Sequence, residues 1–113
     1  MTAPRFSYGG FNSFRNRLTS QLFGFNYDFL IATGQGSPQW DLVARHPIYD
    51  LLNHSDCDGD LSAEQCRTIA PALRQALSNT NIWPEGDMDL ESGQHLVRYM
   101  EICAEIERKL IFC

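Results

Sequence analysis

Hydrophobic positions along this 113-residue chain recur mostly at helical spacing. Phe11, Phe14, Leu18 and Leu22 lie three or four residues apart, Asn12 is of helix-capping type and Gly24 offers a stop. The pattern predicts a first helix with Arg15 and Arg17 on its other faces. The period changes at Phe23. From there Phe23, Phe25, Tyr27, Phe29 and Ile31 alternate with Gly24, Asn26, Asp28 and Leu30, which predicts a strand. Its pairing candidates are the extended stretches 5–8 and Leu110–Phe112. Residues Thr33–Pro38 read as a loop; without the lysine and spacing of a phosphate-binding loop, it is assigned no nucleotide.

Further on, Trp40–Arg45 predicts a short helical turn, and Pro47 suits the first position of a helix through Ile48, Leu51 and Leu52 that ends near His54. Ser62-Ala-Glu-Gln65 is a capping-box pattern that opens a helix with Cys66, Ile69, Leu73 and Leu77 on its inner face. Pro71 should kink that helix. After a connector containing Trp83-Pro84, a final helix over Asp89–Lys109 places Leu96, Met100, Cys103, Ile106 and Leu110 inward, with Glu91, Arg98, Glu105 and Lys109 outward. The expected fold is mainly α: a compact, helical single domain of about four helices. Any sheet should be minor, of two or three strands from the N-terminal third.

Composition agrees with one globular domain. Hydrophobic residues make up 43% of the chain, too many for a disordered one. No apolar run approaches the roughly 18–20 residues that cross a bilayer, and residues 1–12 hold no signal-type apolar run. A cytoplasmic protein is expected. Reducing surroundings keep thiols free, so Cys66 and Cys103 are read as small buried hydrophobes and Cys57 as the more reactive thiol.

The net charge of −5 is unevenly placed, with four Arg against three Asp in residues 1–55 and five basic against eleven acidic residues in 56–113. Nucleic acid is not an expected partner, because its affinity comes largely from cations on phosphates. Eight of the thirteen aromatics precede residue 30, but with so little positive charge they are read as core rather than a base-stacking platform. The acidic half is either a solubilising face or a surface for a basic protein partner, two readings that remain open.

One loop carries candidate chemistry. In His54-Ser-Asp-Cys-Asp-Gly-Asp-Leu-Ser-Ala-Glu-Gln65, three aspartates alternate around a glycine between two helices. The segment resembles an EF-hand calcium loop: with Gly59 on the turn glycine, Asp56 and Asp58 fall on ligand positions, Asp60 offers its carbonyl and Ser62 ligates through water. The candidate calcium set is Asp56, Asp58, Asp60, Ser62 and Glu64. Both ends depart from the pattern, since His54 replaces the first hard oxygen and Gln65 the closing carboxylate. A frame starting at Asp56 instead puts Leu61 on the glycine. The same residues also read simply as negative charge at the amino end of the helix that Ser62 caps. A zinc set of His54, Cys57, Cys66 and Cys113 is the alternative metal reading, built on half a ligand motif. A nucleophilic Cys57 lacks an orienting third group, and His46 and His95 stand alone, so no catalytic residues are assigned and an enzyme is not expected.

Three patches resemble a family of small, uncharacterised bacterial and phage-borne proteins. They are Phe6-Ser-Tyr-Gly-Gly-Phe-Asn-Ser-Phe-Arg15, Leu51-Leu-Asn-His-Ser-Asp-Cys-Asp-Gly-Asp-Leu61 with the following Cys66, and the ending Phe112-Cys113. The resemblance implies a bacterial or phage setting and shared structure around the loop, and no activity. The expected function is a small acidic protein that binds another protein as an inhibitor, immunity or regulatory factor. The alternative is a divalent-cation-binding module on residues 54–65.

Overall fold

The structure, a computed structural model, describes residues 10–54 and 59–112. In chain order these form α1 (Gly10–Phe23), α2 (Tyr27–Thr33), α3 (Pro38–Ala44), α4 (Tyr49–Leu52), β1 (Asp60–Leu61), α5 (Ala63–Leu77), α6 (Met88–Ile106) and β2 (Leu110–Ile111). The protein is thus mainly helical, with one small antiparallel sheet among the described residues, in which Asp60 faces Ile111 and Leu61 faces Leu110. Among the described residues no helix is long and apolar enough to cross a membrane.

The body is the antiparallel pair α5 and α6. Both helices start at side-chain caps. Ser62 Oγ accepts from Gln65 N, while Gln65 Oε1 accepts from Ser62 N, so the capping box read in the sequence is complete. Asp87 Oδ1 accepts from the amides of Asp89 and Leu90 at the start of α6. Cys66, Ile69, Leu73 and Leu77 are buried on α5, which runs as one helix through the solvent-facing Pro71. On α6 the buried face is Leu90, Gly93, Leu96, Val97, Met100, Cys103 and Ala104.

Ile106 corrects the reading of α6: it is 54% exposed. Steps of three residues advance only about 300° around a helix, so a run of them walks off the buried face. The helix also stops earlier than expected. Glu107 takes a left-handed conformation (φ 57°), ending α6 and turning the chain so that Leu110 is buried from β2 rather than from a helix.

The larger correction is the strand expected over Phe23–Ile31, which does not form. Gly24, at φ +81°, ends α1 in a conformation suited to glycine. Asn26 Oδ1 then accepts from Phe29 N and starts α2. Alternation invites a strand only where another strand can pair with it, and here a local cap supplies the backbone bonds instead. Of the two pairing candidates, residues 5–8 lie outside the described residues and Leu110–Ile111 pairs with β1. As a helix the segment buries Tyr27 and Leu30, three residues apart, and leaves Phe29 and Ile31 exposed. The aromatics are therefore only partly core. The small sheet belongs to the loop before α5 and the end of the chain, not to the N-terminal third.

Packing is tight where α1 crosses α5 and α6. A Cβ added to Gly93 would stand 2.7 Å from Phe14 Cε2 and 3.0 Å from Leu77 Cδ1, and the Phe14 ring is fully buried. Overpacking of this kind costs about 1–3 kcal/mol, while alanine returns roughly 1 kcal/mol of helix propensity. Gly93→Ala should therefore lower stability by about 1 kcal/mol in urea unfolding, and Gly93→Val by more. A midpoint unchanged in both variants would mean that the crossing yields.

Candidate functional site

Described residues from three separated stretches of the chain, Phe11 and Arg15, His54 and Gly59, and Phe112, meet in space. From α1, the Arg15 guanidinium donates to the His54 carbonyl and to Asn12 Oδ1 (2.8 Å). It lies 4.4 Å from the Phe11 ring centroid and 4.5 Å from that of Tyr27. Tyr27 Oη in turn donates to the Leu52 carbonyl (2.9 Å). The sequence pattern placed Arg15 off the apolar face, yet the residue is only 3% exposed.

The far side of the turn is held by the end of the chain. His54 Nε2–H donates to the Asp60 carbonyl (3.1 Å), and the His54 ring packs on Phe112 at 4.3 Å. Phe112 N donates to the Gly59 carbonyl (3.0 Å), and the Phe112 ring stacks on Phe11 at 5.9 Å. Gly59 has φ +85°, a left-handed conformation that suits glycine. Contacts from α1, α2 and Phe112 thus hold the described residues on either side of 55–58.

The candidate calcium ligands divide. Asp56 and Asp58 lie outside the described residues. The Asp60 carbonyl is occupied by His54, and its carboxylate lies 3.8 Å from Lys109 Nζ. Ser62 Oγ is engaged in the capping box, and the exposed Glu64 lies 3.8 Å from Arg67. Gln65, on the closing position, also donates from Nε2 to Asp50 Oδ2 (3.2 Å), tying α5 to α4. Among the described residues no three His, Cys, Asp or Glu side chains are grouped as a metal would need.

Of the zinc set, Cys57 and Cys113 are outside the described residues. Cys66 is fully buried and free of any disulfide, as is Cys103. The two belong to facing turns of α5 and α6, where Arg67 donates to the Ala104 carbonyl (2.7 Å). Burial first, and the neighbouring Cys103 second, push the Cys66 thiol up to about 11. Burial likewise raises Cys103. These are packing thiols with little thiolate at neutral pH.

A second arrangement was not legible in the sequence. A cleft of about 600 Å3 is lined by Gln21 and Leu22 of α1, His46, Ala72, Gln75 and Ala76 of α5, then Ser78, Asn79 and Ile82. His46 Nδ1 accepts from Ile48 N (3.1 Å), which leaves the proton of the neutral ring on Nε2, and burial lowers its pKa. Its partners come from separate elements, so only the pairing of α1 with α5 assembles the cleft.

Compared with protein-family models, curated proteins and solved structures, the chain finds no match.

The loop and the buried thiols each lead to a measurement. If Ser62 acts as the cap of α5, Ser62→Ala should cost about 0.5–2 kcal/mol, with EDTA leaving the melting temperature of the wild-type chain unchanged. A melting temperature that climbs with millimolar calcium and loses that response in Asp58→Ala would give the loop to calcium. A rise with zinc that Cys57→Ser abolishes would give it to zinc. The buried thiol has the opposite sign to a salt-bridged acid. Unfolded chains lose the Cys66 proton near the ordinary thiol value of 9.0 and the folded chain only near 11, so its contribution to stability is full below pH 9 and is lost as pH rises from there. Urea unfolding at pH 8 to 10.5 should show this decline, with a shallower slope in Cys66→Ala.

Proposed function

We propose that the protein works by binding another protein, without catalysis, and that the partner meets the outer stripe of α6. The supporting observation is how that stripe is built. Met88, Glu91, His95, Arg98, Glu105 and Ile106 are exposed and share the side of α6 opposite its buried face. Met88 is 75% exposed and Ile106 54%, large apolar side chains at the two ends of the stripe.

Charge supports the same face. Asp60, Glu64, Asp87, Asp89, Glu101 and Glu107 are engaged by Lys109, Arg67, Arg17 and Arg74. These pairs engage six of the eleven acidic residues of the second half. Glu91 and Glu105 make no ion pair among the described residues, which leaves them for a partner's basic groups. Apolar contacts supply affinity in such an interface, and carboxylates steer association. An inhibitor, immunity or regulatory factor is the class of protein this describes. A divalent-cation module is the second reading, favoured by the positive φ of Gly59 and the helix on either side of its turn.

Charge reversal tests the first reading. Pull-down from a bacterial lysate should recover a basic protein. Glu91→Lys with Glu105→Lys should then slow its association and flatten the salt dependence, while circular dichroism stays helical. Recovery of nucleic acid alone, or of nothing at physiological salt, would remove the reading.

A further inference from the structure

The joint between α3 and α4 depends on one side chain. Residues 45–48 carry the chain from the end of α3 to the start of α4, and Pro47 has no amide hydrogen to contribute. The His46 amide donates to the Val43 carbonyl (3.0 Å), its carbonyl accepts from Tyr49 N (3.1 Å), and its ring Nδ1 accepts from Ile48 N (3.1 Å). Among the described residues, Nδ1 is the one acceptor of the Ile48 amide, and Ile48 is fully buried. A side chain bonded to the amide two residues on is the arrangement that Asn and Asp use in turns. Here a group that titrates near neutrality takes their place.

The ring is seated between elements. It meets Phe23, at the end of α1, edge-on at 5.4 Å, and lines the cleft with residues of α1, α5 and the connector after α5. Among the described residues, no Asp, Glu, Lys or Arg lines that cleft. Charged groups of the surrounding elements are engaged elsewhere: Arg15 at the His54 carbonyl, Arg17 by Asp87 and Asp89, Arg67 by Glu64 and Glu107, Arg74 by Glu101, and Asp50 by Gln65. Asp41 and Arg45, beside the joint, and Glu85, in the connector, are exposed and outside the lining. Tyr49 packs on Trp40.

Protonation therefore has a local consequence. The neutral ring, with its proton on Nε2, offers a lone pair to Ile48. The imidazolium carries hydrogens on both nitrogens, so an N–H would face an N–H and the buried Ile48 amide would lose its acceptor. Burial already disfavours the cation, and no carboxylate lines the cleft to hold it. The Phe23 face attracts a cation, but that contact leaves the Ile48 amide unanswered.

We propose that His46 is an acid-released latch. As the neutral imidazole it caps the Ile48 amide and holds the α3–α4 joint against α1 and α5. As the imidazolium it leaves the cleft for water, freeing the joint and uncovering the Phe23 ring. The unfolded chain takes up this proton first, near the ordinary value of 6.5, so the latch contributes fully above that pH and is lost as the pH falls from there. None of these residues lies on α6, so the latch is independent of any partner that the α6 stripe engages.

An NMR titration of the 15N,13C-labelled full chain from about pH 8 to about pH 5, the range in which histidine changes charge, tests this. At the upper end the ring nitrogens should report the Nε2–H tautomer. The His46 Cε1–Hε1 signal should titrate below the value it takes in the urea-unfolded chain. Amides of Ile48, Phe23, Ala76 and Asn79 should shift with that same midpoint. His46→Asn, whose carbonyl can accept from Ile48 N without titrating, should keep the neutral-pH urea midpoint and lose the shared step. His46→Phe, with no acceptor, should lower that midpoint at neutral pH and also lack the step. An Nδ1–H tautomer, a His46 midpoint at or above the unfolded value, or shifts confined to residues 45–49 would each overturn the latch, as would the same step persisting in His46→Asn. The wild-type titration decides by itself if either variant fails to fold.

Discussion

A buried cation organises the amino-terminal half of this protein. Taking a guanidinium out of water costs several kcal/mol unless its surroundings answer for it. Around Arg15 they include the Phe11 and Tyr27 rings, the Asn12 side chain and the His54 carbonyl. These come from three parts of the chain: the first turn of α1, the start of α2 and the exit from α4. Placing them there fixes how α2 returns against α1 and where the loop begins. Arginine suits the task because its planar group stacks on rings and donates in several directions at once, which a lysine ammonium cannot do.

Two residues later on the same helix, Arg17 does comparable work on the other side of α1. Its guanidinium lies 4.2 Å from the Trp83 ring centroid, donates to the Ile82 carbonyl and pairs with Asp87 at 2.8 Å. Residues two apart on a helix project about 200° apart. Arg15 therefore reaches the loop while Arg17 reaches the connector before α6. The same Asp87 caps α6, and the Arg17 hydrogen bond is the main reason its carboxyl stays below the ordinary value. One helix is thus pinned at both the loop and the start of α6.

This internal use of charge shapes the surface. Five of the eleven acidic residues of the second half hold elements together, so the charge left on the surface is less than the sequence suggests. Elsewhere the same pairing leaves a cleft whose described lining carries no charge. A protein this small then presents two chemically distinct surfaces: a stripe on α6 with carboxylates between apolar ends, and a neutral groove beside stacked rings. On the function proposed above, the first would speed encounter with a basic partner.

Legible from the chain alone is whatever depends on neighbours a few residues away. The caps at Ser62 with Gln65 and at Gly24, the helical period of α1, α5 and α6, and the burial of Cys66 and Cys103 are local chemistry read at local spacing. The glycine turn of the loop was legible for the same reason. Other features waited on packing. Alternation over Phe23–Ile31 is compatible with strand or helix, and the Asn26 cap together with the burial of Tyr27 and Leu30 settles it. Arg15 on a polar face looks exposed until α2 and the loop fold over it. The two-residue sheet joins Asp60 to Ile111 across about fifty residues, a pairing that no local propensity encodes. His46 stands alone along the chain and becomes part of a cleft only because α1 packs on α5, for a site built from separate elements exists in the packing and not in the spacing of its residues.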